Sequence, residues 1–257
     1  METKTVQRFG NSGHIVLPKE YIGKRIRFIA EPRSLDGITA EALEILKPYL
    51  ERILGIYLYG SYARKEADME SDVDILAITD TKLKIMEKAS DFSIVSVTLQ
   101  EIENALENNA VLMLPIIKEA RPIINPNLIE RYGKYKFTRK NTKLFIENTS
   151  RILELNKRGM ELNFEIGSLV YSLLLRIRSL LMIKLINDNG RYTKSFLFAY
   201  LGNNGLERGT IDELYKIYAS ERKNIKIRES AVVTKKDIYT LIEICEMTLQ
   251  EIKRSLT

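Results

Sequence analysis

Apolar residues change their spacing along the chain. Up to about position 125 they come in short runs bounded by turn residues, the pattern of buried strands. Ile56-Tyr57-Leu58-Tyr59 is one such run. Ile75-Leu76-Ala77-Ile78, entered through Asp72-Val73-Asp74, is a second, and Phe92–Thr98 a third. Gly60-Ser61 after the first run predicts a tight turn into a short helix. Thr98-Leu99-Gln100-Glu101 reads as a helix start, Asn108-Asn109 as a turn, Pro115 as a break and Arg121–Asn125 as a final edge strand. From about Asn141 the apolar spacing becomes helical. Leu144, Ile146, Ile152, Leu153 and Leu155 mark one helix, and a long one is expected over Glu161–Asn187. A short helix over Thr193–Leu201 follows. Capping boxes at Thr210–Glu213 and Thr234–Asp237 open two more, the last running to about Arg254. Short links between four or five helices describe an antiparallel bundle.

The first thirty residues follow a third pattern. Strand Thr5–Phe9, turn Gly10–Gly13, strand His14–Leu17, one helical turn at Pro18 and strand Lys24–Ile29 make a unit too small to bury its own core. It is expected to pair with a copy of itself or lean on the next domain, with Pro32–Asp36 as linker. The predicted architecture is an α/β core with a small N-terminal β module and a C-terminal α-helical bundle, with boundaries at 1–34, 35–130 and 131–257.

Charge sharpens that division. The net charge is +6, but residues 1–34 carry seven basic and three acidic residues, 35–130 nine and seventeen, and 131–257 twenty-four and fourteen. The basic C-terminal part fits either a polyanion partner or a face that packs on the acidic middle. No apolar run reaches membrane-spanning length and no signal-peptide pattern opens the chain, so a cytoplasmic protein without membrane contact is expected. Cys245, the single cysteine, excludes internal disulfides and cysteine-based zinc sites, and its apolar helical setting predicts an inert core thiol. His14, the single histidine, excludes histidine-based catalysis elsewhere in the chain.

The candidate chemistry lies between the first two apolar runs. Residues two apart on a strand face the same way, so Asp72 and Asp74 share a side and Val73 faces the other. Paired carboxylates repel unless a cation lies between them, and Mg²⁺ favours oxygen ligands shared with phosphate and water. Gly60 lets a phosphate approach the backbone, and Ser61 brings a hydroxyl and an N–H to the start of a helix. Arg64 and Lys65 lie one turn on and add positive charge. Together these residues suit phosphoryl or nucleotidyl transfer.

An apolar strand, Gly60-Ser61, about ten residues and then Asp72-Val73-Asp74 on an apolar strand resemble the minimal nucleotidyltransferases of the DNA polymerase β superfamily, over about residues 36–128. The resemblance implies Gly60 and Ser61 at the triphosphate of ATP or another NTP, and Asp72 and Asp74 as Mg²⁺ ligands. It also implies a third acid on a later strand. Phe92–Thr98 contains none, which leaves Asp91 at its edge as the candidate. The implied reaction moves a nucleoside monophosphate, AMP for ATP, to a hydroxyl acceptor, either a protein tyrosine, as in nucleotidylating antitoxins, or a small molecule. Phe9–Gly13 and Leu17-Pro18-Lys19-Glu20 resemble the SpoVT/AbrB-like swapped-hairpin module, which implies a homodimer and DNA contact through Lys4, Arg8, Lys24, Arg25 and Arg27. The alternative for that segment is a dimerisation clip with a solvated basic rim. The bundle is similar in arrangement to HEPN domains and to the C-terminal bundle of kanamycin nucleotidyltransferase-like enzymes. Segment 221–229 lacks the histidine of an active HEPN ribonuclease, so Arg222, Lys223, Lys226 and Arg228 are expected at phosphate or at the acidic domain. The rival reading is a dimeric DNA-binding regulator with a nucleotide-sensing or inactive nucleotidyltransferase-like domain.

Overall fold

The computed structural model describes residues 4, 6–10, 12–28, 32–69, 71–85, 91–225 and 233–256. The chain divides into two compact units, Met1–Pro32 and Arg33–Thr257. In the first unit β1 (Gln7–Phe9) and β2 (Ser12–His14) pair antiparallel, and one 3₁₀ turn follows over Lys19–Tyr21. Residues 24–28 are not in a strand, and Ile29 lies outside the described residues. Two three-residue strands give a third one little edge to pair with. Phe9, Val16, Ile22 and Phe28 are exposed, as expected of a unit without a core.

The second unit opens with α1 (Leu35–Leu46), capped by Ser34, whose Oγ accepts the Gly37 N–H at 3.1 Å. A four-stranded sheet follows in the order β5-β4-β3-β6. β3 (Ile53–Tyr59) is antiparallel to β4 (Val73–Thr79) and to the edge strand β6 (Arg121–Ile124), and β4 is parallel to β5 (Phe92–Thr98). Alternation along the strands fills two cores. Ile56, Leu58, Val73, Ile75 and Ala77 pack with Ile38, Ala42 and Leu46 of α1. Tyr57, Leu76 and Ile78 face the other way, into a core that runs without interruption into the helical bundle. Asp74 therefore lies on the bundle side of the sheet.

Thr98 and Glu101 form the expected capping box of α3 (Leu99–Asn108). Pro115, expected as a break, lies inside α4 (Ala110–Glu119). Burial of Val111, Met113, Leu114 and Ile117 on both sides of it offsets the roughly 3 kcal/mol an interior proline costs. After the short α5 (Pro126–Glu130) comes α6 (Arg139–Glu161), whose Asn141 Nδ2 donates to the Leu106 carbonyl at 3.0 Å and ties the bundle to α3. The long helix is α7 (Ile166–Asn187), which starts later than its spacing suggests because Asn163 turns left-handed (φ 55°) and Phe164 folds back to the Gly159 carbonyl. Its Leu173, Leu174, Ile177, Leu180 and Leu181 are buried, making it the central helix. α8 (Lys194–Asn203), α9 (Arg208–Arg222) and α10 (Lys235–Ser255) complete the bundle. α9 begins before the expected Thr210 box, since the Ile211 N–H already bonds the Glu207 carbonyl at 2.9 Å. Thr234 and Asp237 cap α10 as expected. Cys245 is fully buried, and burial pushes its thiol up to about 12. No helix among the described residues is long and apolar enough to cross a membrane.

Candidate active site

The glycine corner and the acid pair meet in space. β3 ends at Tyr59, which stands opposite Asp74 in the sheet, and α2 (Gly60–Arg64) begins immediately after. Gly60 has φ 75°, and a Cβ built there would lie 2.1 Å from Asp74 Oδ2. Only glycine fits against that carboxylate. Ser61 follows, half-buried, its hydroxyl without a hydrogen-bond partner among the described residues.

Asp72 and Asp74 flank the fully buried Val73 and are both half-buried. Burial pushes the Asp74 carboxyl up to about 6; Arg222 and Arg64 oppose this, while Asp72 and Glu119 add to it. A carboxyl raised by burial and by the charge of its strand neighbour Asp72 favours a bound cation. Arg222 closes α9, and its charge acts on Asp74 of the acidic domain; Lys226 and Arg228 lie outside the described residues.

One residue that holds the glycine corner was not legible in the sequence. Glu119, the last residue of α4, accepts the Gly60 N–H at 2.9 Å through Oε1 and Arg64 Nη1 at 2.6 Å through Oε2. Arg64 also donates from Nε to Glu66 Oε2 at 2.9 Å, and Glu66 Oε1 takes the Lys194 N–H of α8 at 2.7 Å. Arg64 is thus bound to two carboxylates, and the glycine corner is held by an acid from a distant helix. Arg64, expected near the phosphates, is instead half-buried and held by acidic partners. On the bundle side, Arg178 donates to the hydroxyls of Tyr192 and Tyr218, and Lys194 Nζ lies 4.2 Å from the Tyr215 ring centre.

The remaining expected residues are dispersed. Asp91 precedes β5; its carbonyl accepts the Val73 N–H at 2.8 Å, and its carboxylate pairs with Arg33, which also holds Glu41. Among the described residues no three acids are grouped closely enough to hold a metal ion. Lys65 is exposed and closes α2 in the left-handed conformation (φ 62°). In the first unit Lys4, Lys24, Arg25 and Arg27 are exposed, Lys24 over the Tyr21 ring, and the Arg8 side chain lies outside the described residues.

Residues 41–129 match the family model "Polymerase beta, Nucleotidyltransferase", and residues 3–29 match "Putative transposon-encoded protein (DUF2080)". No curated protein matches the chain. Among solved structures, spectinomycin adenyltransferase AAD(9) from Enterococcus faecialis, with ATP and spectinomycin, is similar at 15% identity and TM-score 0.47, over 80% of this chain and 97% of that one. A nucleotidyltransferase-like protein from Exiguobacterium sibiricum 255-15 is similar at 15% identity and TM-score 0.35, over 84% and 75%. These likenesses are distant, and the assignment rests on the family match, which spans Gly60, Ser61, Asp72 and Asp74. The chain carries a polymerase β-type nucleotidyltransferase domain over residues 41–129.

Proposed function

We propose that the chain transfers a nucleoside monophosphate, AMP from ATP, to a hydroxyl of a protein or small molecule with the help of Mg²⁺. The observation that carries this reading is the contact of the Gly60 corner with Asp74 inside the matched segment. The acid pair fits a divalent ion: the donors are oxygens, and their like charges need a counter-charge. Asp72 and Asp74 would hold it, with phosphate and water completing the shell. The ion, when bound, neutralises charge on the phosphate oxygens. Gly60 lets the corner close against Asp74, and the Ser61 hydroxyl, next along α2, donates to the triphosphate. The acceptor oxygen attacks the α-phosphorus, the bond from that phosphorus to the bridging oxygen breaks, and pyrophosphate leaves. One carboxylate of the pair accepts the proton of the attacking hydroxyl.

The test is transfer from α-labelled ATP to protein or to a small-molecule extract, with and without Mg²⁺. Asp72→Asn/Asp74→Asn should abolish labelling; equal labelling by both proteins would remove the assignment. An acceptor tyrosine on a partner protein, as in antitoxin-like systems, is distinguished by label that survives denaturation on that partner.

A second reading is favoured by the first unit. Its exposed apolar side chains and basic residues, and its likeness to a transposon-encoded family, support a homodimer that contacts DNA. Asp91, tied to Arg33, leaves room for a nucleotide-sensing domain in such a regulator. A salt-dependent shift of duplex DNA, lost on deleting residues 1–34, would support it. Failure to bind DNA at low salt would end it.

A further inference from the structure

Beside the glycine corner lies a cleft of about 480 Å³ between the nucleotidyltransferase domain and the bundle. Its cations come from four places: Arg64 of α2, Lys118 of α4, Arg121 of β6 and Arg191 in the loop after α7. Its single acid, Glu119, is already bound to Gly60 and Arg64. Arg121, Arg191 and Lys118 have no carboxylate partner among the described residues; Lys118 donates to the Gly133 carbonyl. Burial, and then the charge of Lys136, hold the Lys118 ammonium below its ordinary pKa. Like charges gathered around one cleft repel, and an anion inside it relieves the repulsion. Met182 and Ile186 add apolar surface to the lining. A lining that combines cations with apolar side chains fits an organic anion of small-molecule size.

We propose that this cleft binds the anionic end, phosphate or carboxylate, of a small organic molecule that serves as the nucleotidyl acceptor. The acceptor role rests on the transfer reading above. Arg64 and Glu119 form a wall shared by the cleft and the glycine corner, so a hydroxyl on the bound molecule would lie next to the triphosphate seat. The bridging guanidinium and carboxylate then also link occupancy of the cleft to the corner.

The test is calorimetric titration of the full chain, saturated with Mg²⁺ and α,β-methylene ATP so that the triphosphate seat is filled. Phenyl phosphate and benzoate probe the two anion types, and benzyl alcohol is the neutral control. At least one anion should bind tenfold or more tightly than the alcohol. Arg121→Gln/Arg191→Gln should weaken it at least tenfold, Arg121→Lys/Arg191→Lys by much less, and both should leave nucleotide affinity within twofold. The proposal fails if neither anion binds, if the alcohol binds equally, or if the glutamine variant changes nothing. It fails too if nucleotide affinity falls in step with anion affinity, since the cleft would then be part of the nucleotide seat. Failure of the transfer reading shows separately, as Mg²⁺–nucleotide binding that survives Asp72→Asn/Asp74→Asn.

Discussion

At the scale of single residues, the contact between Gly60 and Asp74 governs the site. A methyl group at Gly60 meets both a left-handed backbone and the Asp74 carboxylate. Gly60→Ala should cost about 2 kcal/mol and lower transfer at least a hundredfold, because Asp74 must move. Thermal denaturation beside an activity assay checks this; an active variant of unchanged stability would contradict the contact. Asp74 also sets a pH dependence. Its folded pKa of about 6 exceeds the ordinary carboxyl value, so the protonated form favours folding and the ionised form opposes it. That contribution to stability is fully present below about pH 4 and lost as pH rises through about 6. In metal-free protein Asp74→Asn should therefore gain about 2 kcal/mol at pH 7.5, and the gain should vanish near pH 4. Melting curves across that range test it; a gain independent of pH would point to another cause. The sequence disclosed the facing of Asp72 and Asp74 because strand alternation is local. It did not disclose the raised carboxyl, which depends on Arg222 from α9 and on burial by the bundle.

At the scale of elements, legibility followed the range of the forces. The helix starts at Thr98 and Thr234 involve neighbours within a few residues, and they were readable. Pro115 was misread because the packing that carries α4 through it comes from residues far along the chain. The tie from α4 to α2 was invisible for the same reason: Glu119 and Gly60 are joined only by the fold. That tie makes a prediction of its own. Glu119→Ala leaves the half-buried Arg64 with Glu66 alone and the Gly60 N–H unpaired, and should cost about 2 kcal/mol. Glu119→Gln, which keeps an acceptor for the amide, should cost less. Urea denaturation of the two variants distinguishes this from a solvated surface pair, for which both losses would be negligible.

At the scale of the whole molecule, the acidic middle and the basic C-terminal part meet. The charge of Arg222 acts on Asp74, and the backbone N–H of Lys194, in the first turn of α8, donates to Glu66. The charge asymmetry read from the sequence is thus spent partly on packing the bundle beside the site, while the cleft cations are left for a ligand. The first thirty-two residues form their own unit, and its exposed apolar side chains are what a sequence too short for a core predicts. The central claim, that Asp72 and Asp74 together grip a divalent ion beside the Gly60 corner, is tested most directly by Mn²⁺ binding. Water-proton relaxation of the full chain with Mn²⁺ and α,β-methylene ATP should report a tight ternary complex. In Asp72→Asn/Asp74→Asn that complex should weaken at least a hundredfold while the fold persists. Equal relaxation enhancement from both proteins would contradict the account.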